Sequence, residues 1–415
     1  MLNFLRREYE VFRSCPPSMR LLLAANMIYG MALPVIDIFI SAYVMRNTRD
    51  PVRVISYPLG LFLGTPVAFA LNGLLLRRVQ MKYLYAGGMV LYGIALMLLT
   101  RISELTLQRI VLISFLMGIA NGFFWANRQF LVLNTTTDDK RNYYYGVELF
   151  FGTIAAVIVP VSVGWFISGT FLYGWLGGVP NRAYFIVALV VMLLSTLSGL
   201  LVIRGEFSSR PIGRYFYWSF HPVWWRMLML ACFKGMVQGY ILVMPAMMVM
   251  LLVGHEGTLG VIESLSGVLT AFMLYLIGRL TAPRHRAAVF AAGLSLYLLG
   301  ALINSVFFNV AGVIGFQLCL VLSKPMLDLA YWPIQLEAVD RESRRTGRER
   351  YAFLMNHEFG VLFGRLFGCS LLIALALGFS STVALRYAMP VVALVQMLSI
   401  PVYLWLRKDM YVEAT

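Results

Sequence analysis

The chain has 415 residues, of which 60% are hydrophobic and only 13% charged, and its mean hydropathy is +0.77. A soluble chain would carry roughly 25% charged residues, so the composition excludes an ordinary soluble globular protein. The formal charge of +15 does not point to nucleic acid, because Lys and Arg fall in short clusters between apolar runs rather than on one basic face.

Apolar runs long enough to cross the ~30 Å hydrocarbon layer recur from end to end. Arg6, Arg7, Arg13 and Arg20 precede the first run, and no small-residue cleavage site follows, so that run reads as a retained helix. Predicted spans are 21–45, 54–76, 82–100, 109–133, 143–167 and 182–203, then 227–252, 258–280, 287–308, 310–339, 350–379 and 382–407. The polar-leaning stretch 204–226 lies between the sixth and seventh spans and reads as a linker. This gives a domain organisation of 1–203, linker 204–226 and 227–415. Of the 34 Lys and Arg, 23 lie in or beside the N-terminus, alternate loops and the C-terminus, against seven in the remaining loops. That bias places both termini in the cytoplasm. Cys15, Cys232, Cys319 and Cys369 show neither a CxxC pair nor metal-ligand spacing and read as free thiols.

The two halves share landmarks at nearly constant offset. Gly73 to Lys82 (GLLLRRVQMK) follows span 2 and Gly278 to Arg286 (GRLTAPRHR) follows span 8, with Gly73 and Gly278 205 residues apart. Trp125 in FFWANRQF and Trp332 in AYWPIQLE are 207 apart, and Glu148 and Glu358 are 210 apart near the starts of spans 5 and 11. This is the trace of a parallel internal repeat. On these features the chain resembles the major facilitator superfamily of secondary transporters. Of that family's turn motif, roughly G-x-L-x-D-R-x-G-R-K, the chain keeps Gly73, Leu75, Arg78 and Lys82, and in the second copy Gly278, Leu280 and Arg286. It departs with Arg77 in the acidic position and Gln80 in place of the second glycine. The Gly and Gly-Pro pattern of drug antiporters is reduced to Gly152, Pro160 and Gly164, which speaks against drug/proton antiport. The resemblance implies an all-α membrane protein with twelve transmembrane helices in two pseudo-symmetric six-helix bundles, rocking about a central site.

Ionisable groups inside spans are costly and therefore mark candidate function. Asp37 lies one turn after Pro34 in span 1, at a depth suited to a proton-coupling carboxylate or to a structural ion pair. Gln317, Lys324, Asp328, Tyr331 and Gln335 share one face of span 10, and a polar stripe should line an interior or aqueous crevice. Lys324 and Asp328 are one turn apart and could pair within the helix. By the 207-residue offset, Asn121 in span 4 corresponds to Asp328, and Arg128 to Gln335. Lys234 and Gln238 share a face of span 7, where Lys234 either snorkels to the interface or points inward. Arg128, Glu148, Glu358 and Arg365, with His357 beside Glu358, are candidates for salt bridges that hold an inner gate or anchor loops. Glu263 reads as interfacial, and Asn26 and Tyr29 as cavity contacts. Asp138 and Asp139 sit in a polar turn and read as solvated.

The chain carries no GxxxxGK[ST], GxSxG or HExxH, and no metal or cofactor is expected from it. The expected function is secondary active transport of a small polar, charged or amphipathic solute by alternating access, with a proton as coupling ion. The expected setting is a monomer in a prokaryotic inner membrane. Rival readings are a lipid or siderophore exporter of the same fold, a membrane-embedded enzyme, and a non-transporting receptor.

Overall fold

The computed structural model describes residues 10–136, 138–207, 213–281 and 283–412. Arg6 and Arg7 lie outside them, as do the side chains of Asp138 and Asp139. Among the described residues there are twelve helices long and apolar enough to cross a membrane: α1 Pro17–Thr48, α2 Pro51–Leu75, α3 Met81–Arg101, α4 Leu107–Val132, α5 Tyr143–Leu172, α6 Pro180–Arg204, α7 Pro222–Leu252, α8 Glu256–Arg279, α9 Arg286–Val306, α10 Val310–Thr346, α11 Arg350–Gly378 and α12 Ser381–Met410. Even-numbered crossing leaves both ends of the chain on one face, here called the terminal face.

Helix ends follow local chemistry. Asp50, Thr106 and Ser380 accept hydrogen bonds from backbone N–H groups of the first turns of α2, α4 and α12. Proline opens α2, α6 and α7, where its missing N–H would have no helical partner anyway. The Pro222 start sets α7 five residues ahead of the expected 227, because the aromatic segment after it is helical rather than linker. Span α10 likewise continues past the expected 339 to Thr346, carrying Asp340 to Arg345 beyond the apolar layer.

Two spans are broken. In α1 the helix widens into a π turn over Val35–Phe39, directly after Pro34, and Asp37 stands in its middle. In α12 the helix is interrupted at Leu398, where the ring of Pro401 opposes the carbonyl of Met397 four residues back.

The spans sort into two six-helix bundles, α1–α6 and α7–α12, each with its own set of packed neighbours. Across the divide, α5 packs on α8, α2 on α11 and the far half of α1 on α7, whereas α4 and α10 form no comparable interface among the described residues. Small residues permit the closest approaches, since lipid offers no hydrophobic drive between helices and packing must carry association. A Cβ on Gly164 in α5 would stand 2.4 Å from the Glu256 carbonyl of α8, and one on Gly364 in α11 would stand 1.8 Å from the Cys232 carbonyl of α7. Gly364→Ala is therefore expected to cost about 1–3 kcal/mol through overpacking, whereas Gly87→Ala, with nothing within 4 Å, is tolerated. Thermal unfolding in detergent reads the difference, and equal midpoints for the two variants would contradict it.

Candidate functional site

Between the bundles lies a cavity of about 950 Å³, large enough for a metabolite-sized solute. Its walls come from both halves of the chain. They are largely apolar, with eight ionisable side chains set into them: Asp37, Arg128 and Glu148 from the first bundle, and Lys234, Glu263, Lys324, Asp328 and Arg365 from the second.

On the first-bundle side a polar cluster sits toward the terminal face. Asn26 in α1 donates through Nδ2 to the Tyr144 hydroxyl (2.7 Å) and to Glu148 Oε1 (2.8 Å), and its Oδ1 accepts from the Tyr85 hydroxyl (2.5 Å). Arg128 pairs with Glu148 Oε2 at 2.6 Å and lies over the Trp125 ring at 5.3 Å. Every polar atom of Asn26 is thereby engaged, and one residue ties α1, α3 and α5 together. Deeper in the bundle, Asn121 Nδ2 donates to Thr65 Oγ1 at 3.4 Å.

The second-bundle side mirrors this arrangement with different parts. Arg365 donates to Gln238 Oε1 (2.7 Å) and to Glu358 Oε2 (3.3 Å), and its guanidinium covers the Phe62 ring of α2 at 4.5 Å. His357 Nε2 and the Tyr331 hydroxyl are hydrogen-bonded at 2.7 Å. The Lys234 ammonium lies 3.9 Å from Asp328 Oδ1 and equally close to the centroids of Tyr331 and Trp332. It points inward rather than snorkelling to the interface.

Asp37, Lys324 and Glu263 gather toward the far face. Gln317 Nε2 donates to Glu263 Oε1 and to Ser266 Oγ, both at 3.2 Å. The Lys324 ammonium acts electrostatically on both Asp37 and Glu263, yet no ion pair within 4.0 Å joins it to either. Asp37 acts electrostatically on Tyr29, Tyr57 and Tyr92, and the hydroxyls of Tyr57 and Tyr92 are hydrogen-bonded to each other at 3.3 Å.

Beyond this triad the far face is sealed. Val35, Phe39, Ile40, Tyr43 and Val44 of α1 are buried, as are Met244, Met247 and Met248 of α7. Above them Arg46 forms a two-pronged ion pair with Glu256 of α8, and the Tyr184 hydroxyl donates to the same carboxylate at 2.9 Å. Glu256 is fully buried. Toward the terminal face Trp125 is 41% exposed and Leu149 63%, although both line the cavity, so the mouth is on that side. A smaller clasp there joins α2 to α11. Tyr351 donates to the Phe69 carbonyl at 2.5 Å and receives a bond from Asn72 at 3.2 Å, while the Tyr215 ring of the connecting segment seats on Gly73.

Several sequence expectations change in detail. Asp328 faces Lys234 from α7 rather than Lys324 on its own helix. Glu263 is not interfacial: α8 begins at Glu256, so seven residues at 1.5 Å each carry it about 10 Å inward. Arg128–Glu148 and Arg365–Glu358 each close within one bundle, and the ion pair that joins the bundles lies at the opposite face. Sequence reasoning missed Arg46, Glu256 and Tyr184, because charges at span ends look like ordinary loop charges. It also missed Tyr85 and Tyr144, whose hydroxyls have no sequence signature, and Gln396 and Ser399, which reach the cavity beside the α12 break.

No protein-family model matches the chain. It is 22% identical over 361 residues to the uncharacterized protein YqgE of Bacillus subtilis (strain 168), covering 85% of this chain and 81% of that protein. A second relative, an uncharacterized protein in the sodM 3′ region of Geobacillus stearothermophilus, is 22% identical over 151 residues, or 36% of this chain and 69% of that protein. Among solved structures, the chain resembles the nucleoside transporter NupG at a TM-score of 0.66 with 11% identity, covering 94% of this chain and 99% of that one. It resembles a bacterial homologue of the human lysosomal transporter Spinster, in an inward-facing and unoccupied conformation, at 0.61 with 12% identity, covering 96% and 98%. The chain has the major facilitator fold, and these structural neighbours are membrane transporters.

The far-face clasp makes a direct prediction. Glu256→Gln leaves the Arg46 guanidinium without its counter-charge, and breaking a buried pair costs about 3–5 kcal/mol. In a background whose four native cysteines are replaced by serine, a cysteine at Leu242 should react with a membrane-impermeant maleimide at least five-fold faster when Glu256→Gln is added. An unchanged labelling rate would show that the clasp does not seal the cavity.

Proposed function

We propose that the chain is a secondary active transporter. It moves a small polar, charged or amphipathic solute across a prokaryotic inner membrane by alternating access, with both termini cytoplasmic. The observation that carries this reading is the position of the cavity. It lies between two matched bundles, is sealed at one face by Arg46, Glu256 and Tyr184, and has its mouth at the other between α4 and α10. Rocking the bundles about the glycine-lined α5–α8 contact and the α2–α11 contact would exchange which face is sealed, with the solute held at mid-depth. The fold of the neighbours raises the prior for transport but does not carry it, since fold alone fixes no function.

A proton gradient is the proposed driving force. Asp37 and Glu263 are the cavity carboxylates without an ion pair among the described residues; Lys324 acts electrostatically on both, and Gln317 donates to Glu263. A carboxylate in that setting can exchange a proton with the open face.

Proteoliposomes holding the full chain test both parts. Each member of a labelled panel of amino acids, nucleosides, sugars, organic acids, amines and lysolipids is offered with and without an imposed pH gradient. At least one class should accumulate more than ten-fold over lipid-only vesicles under the gradient, and either Asp37→Asn or Glu263→Gln should remove that accumulation while the protein stays monodisperse in detergent. Flux that ignores the gradient in wild type, or survives both variants, would end proton coupling. Absence of flux for every class would end the transporter reading.

A further inference from the structure

The cavity's charges are of two kinds. Arg128 with Glu148, Arg365 with Glu358, and Lys234 with Asp328 are each neutralised inside a single bundle. Asp37 and Lys324 are not. Both side chains are open to the cavity, they belong to opposite bundles, and each lacks an ion pair or hydrogen bond among the described residues. Both line the one cavity from opposite bundles, and the Lys324 ammonium acts electrostatically on Asp37. Glu263, the other acid within reach of Lys324, has its Oε1 engaged by Gln317.

An ammonium has three donors and no acceptor, and a carboxylate has only acceptors. A solute that satisfies Lys324 must present an anionic or strongly accepting group there. One that satisfies Asp37 must present a donor, best a cationic one. A monocation would meet Asp37 but lie within the field of an uncompensated Lys324, and a monoanion would meet the reverse. A neutral hydrogen-bonding solute would leave both charges without counter-charge once the cavity closed. The cavity lining also includes the apolar side chains of Leu33, Ile38, Ile241 and Leu242, so a hydrocarbon side chain is accommodated as well.

We infer that the solute is a zwitterion with separate ammonium and carboxylate groups, an amino acid or a close analogue, bound with its ammonium on Asp37 and its carboxylate on Lys324. This deepens the transporter reading and rests on it. The solute itself would link the two bundles at mid-depth, and its length sets how closely α1 and α10 approach.

The test uses one set of side chains in three charge states. A labelled mixture of the protein amino acids is compared with its N-acetylated form, which is anionic, and its methyl-ester form, which is cationic. Each is offered to wild-type proteoliposomes. The unmodified mixture should accumulate at least ten-fold above lipid-only vesicles, and the two blocked forms should stay within two-fold of background, because each strands one charge of the site. Asp37→Asn and Lys324→Gln should each lower uptake at least ten-fold, whereas Lys324→Arg, which keeps the charge, should retain more than a third.

Equal uptake of a blocked form, or full activity in Lys324→Gln, would overturn the inference. So would exclusion of the unmodified mixture while another class in the solute panel is transported, and in that case the transporter reading stands. Failure of the mixture, its derivatives and the whole panel together would sink both.

Discussion

A charge at mid-depth in hydrocarbon costs about 2.5–3.5 kcal/mol even on the lenient insertion scales, and this chain sets eight charged side chains, at several depths, around one cavity. The fold can hold them only by turning every one away from lipid. That requirement accounts for a crevice between two bundles, into which α1, α4, α5, α7, α8, α10 and α11 each turn at least one charged group. It also explains the division of labour among the charges. Five of the eight, Arg128, Glu148, Lys234, Asp328 and Arg365, are neutralised within their own bundle, Arg365 by Glu358 from outside the lining, and Asp37, Glu263 and Lys324 are left over. The charges left over lie where the bundles meet, and they are free to respond to what enters.

The internal repeat gives these pairs a common plan with unequal execution. Glu148 and Glu358 occupy corresponding places in α5 and α11, and each binds an arginine. One partner, Arg128, comes from α4, while the other, Arg365, comes from two turns further along α11 itself. Trp125 and Trp332 also correspond, and each carries a cation over its ring, Arg128 in one half and Lys234 in the other. The halves therefore preserve the interaction and exchange the residues that make it. The cross-bundle contacts break the symmetry altogether. A buried carboxylate bound by Arg46 and Tyr184 holds the far face, whereas hydrogen bonds of Tyr351, Asn72 and Tyr215 join α2 to α11 and to the connecting segment beside the mouth. The contact that seals the far face is ionic, whereas the cross-bundle contact beside the open mouth is made of neutral hydrogen bonds.

Much of this was legible in the residue order, and the reason is energetic. Of the 34 Lys and Arg, only Arg128, Lys234, Lys324 and Arg365 lie inside a predicted span and five or more residues from both its ends, and these are the four cations lining the cavity. Of the polar stripe of α10, Gln317, Lys324, Asp328 and Tyr331 line the cavity, whereas Gln335 is buried outside its lining. Partner choice was less accessible. Asp328 and Lys324 satisfy the one-turn rule, but the neighbouring helix brings Lys234 to Asp328, and no periodicity encodes which helices become neighbours. Span ends were the other blind spot. Arg46 and Glu256 are 210 residues apart and each resembles a topogenic or surface charge, so only their convergence marks them as a clasp. The Pro34 kink could be read, but not the π turn that follows it and sets the direction of Asp37.

The central claim is that sealing alternates between faces as the bundles rock. Pulsed electron-electron resonance between spin-label pairs measures this directly. One pair sits at Gln129 and Leu336 on the terminal-face ends of α4 and α10, and the other at Arg49 and Leu251 near the far ends of α1 and α7. Across a pH titration in nanodiscs, the account predicts that one distance shortens by several ångströms as the other lengthens, with both reporting the same change in population. Two distances that stay fixed, or that widen and narrow together, would contradict it.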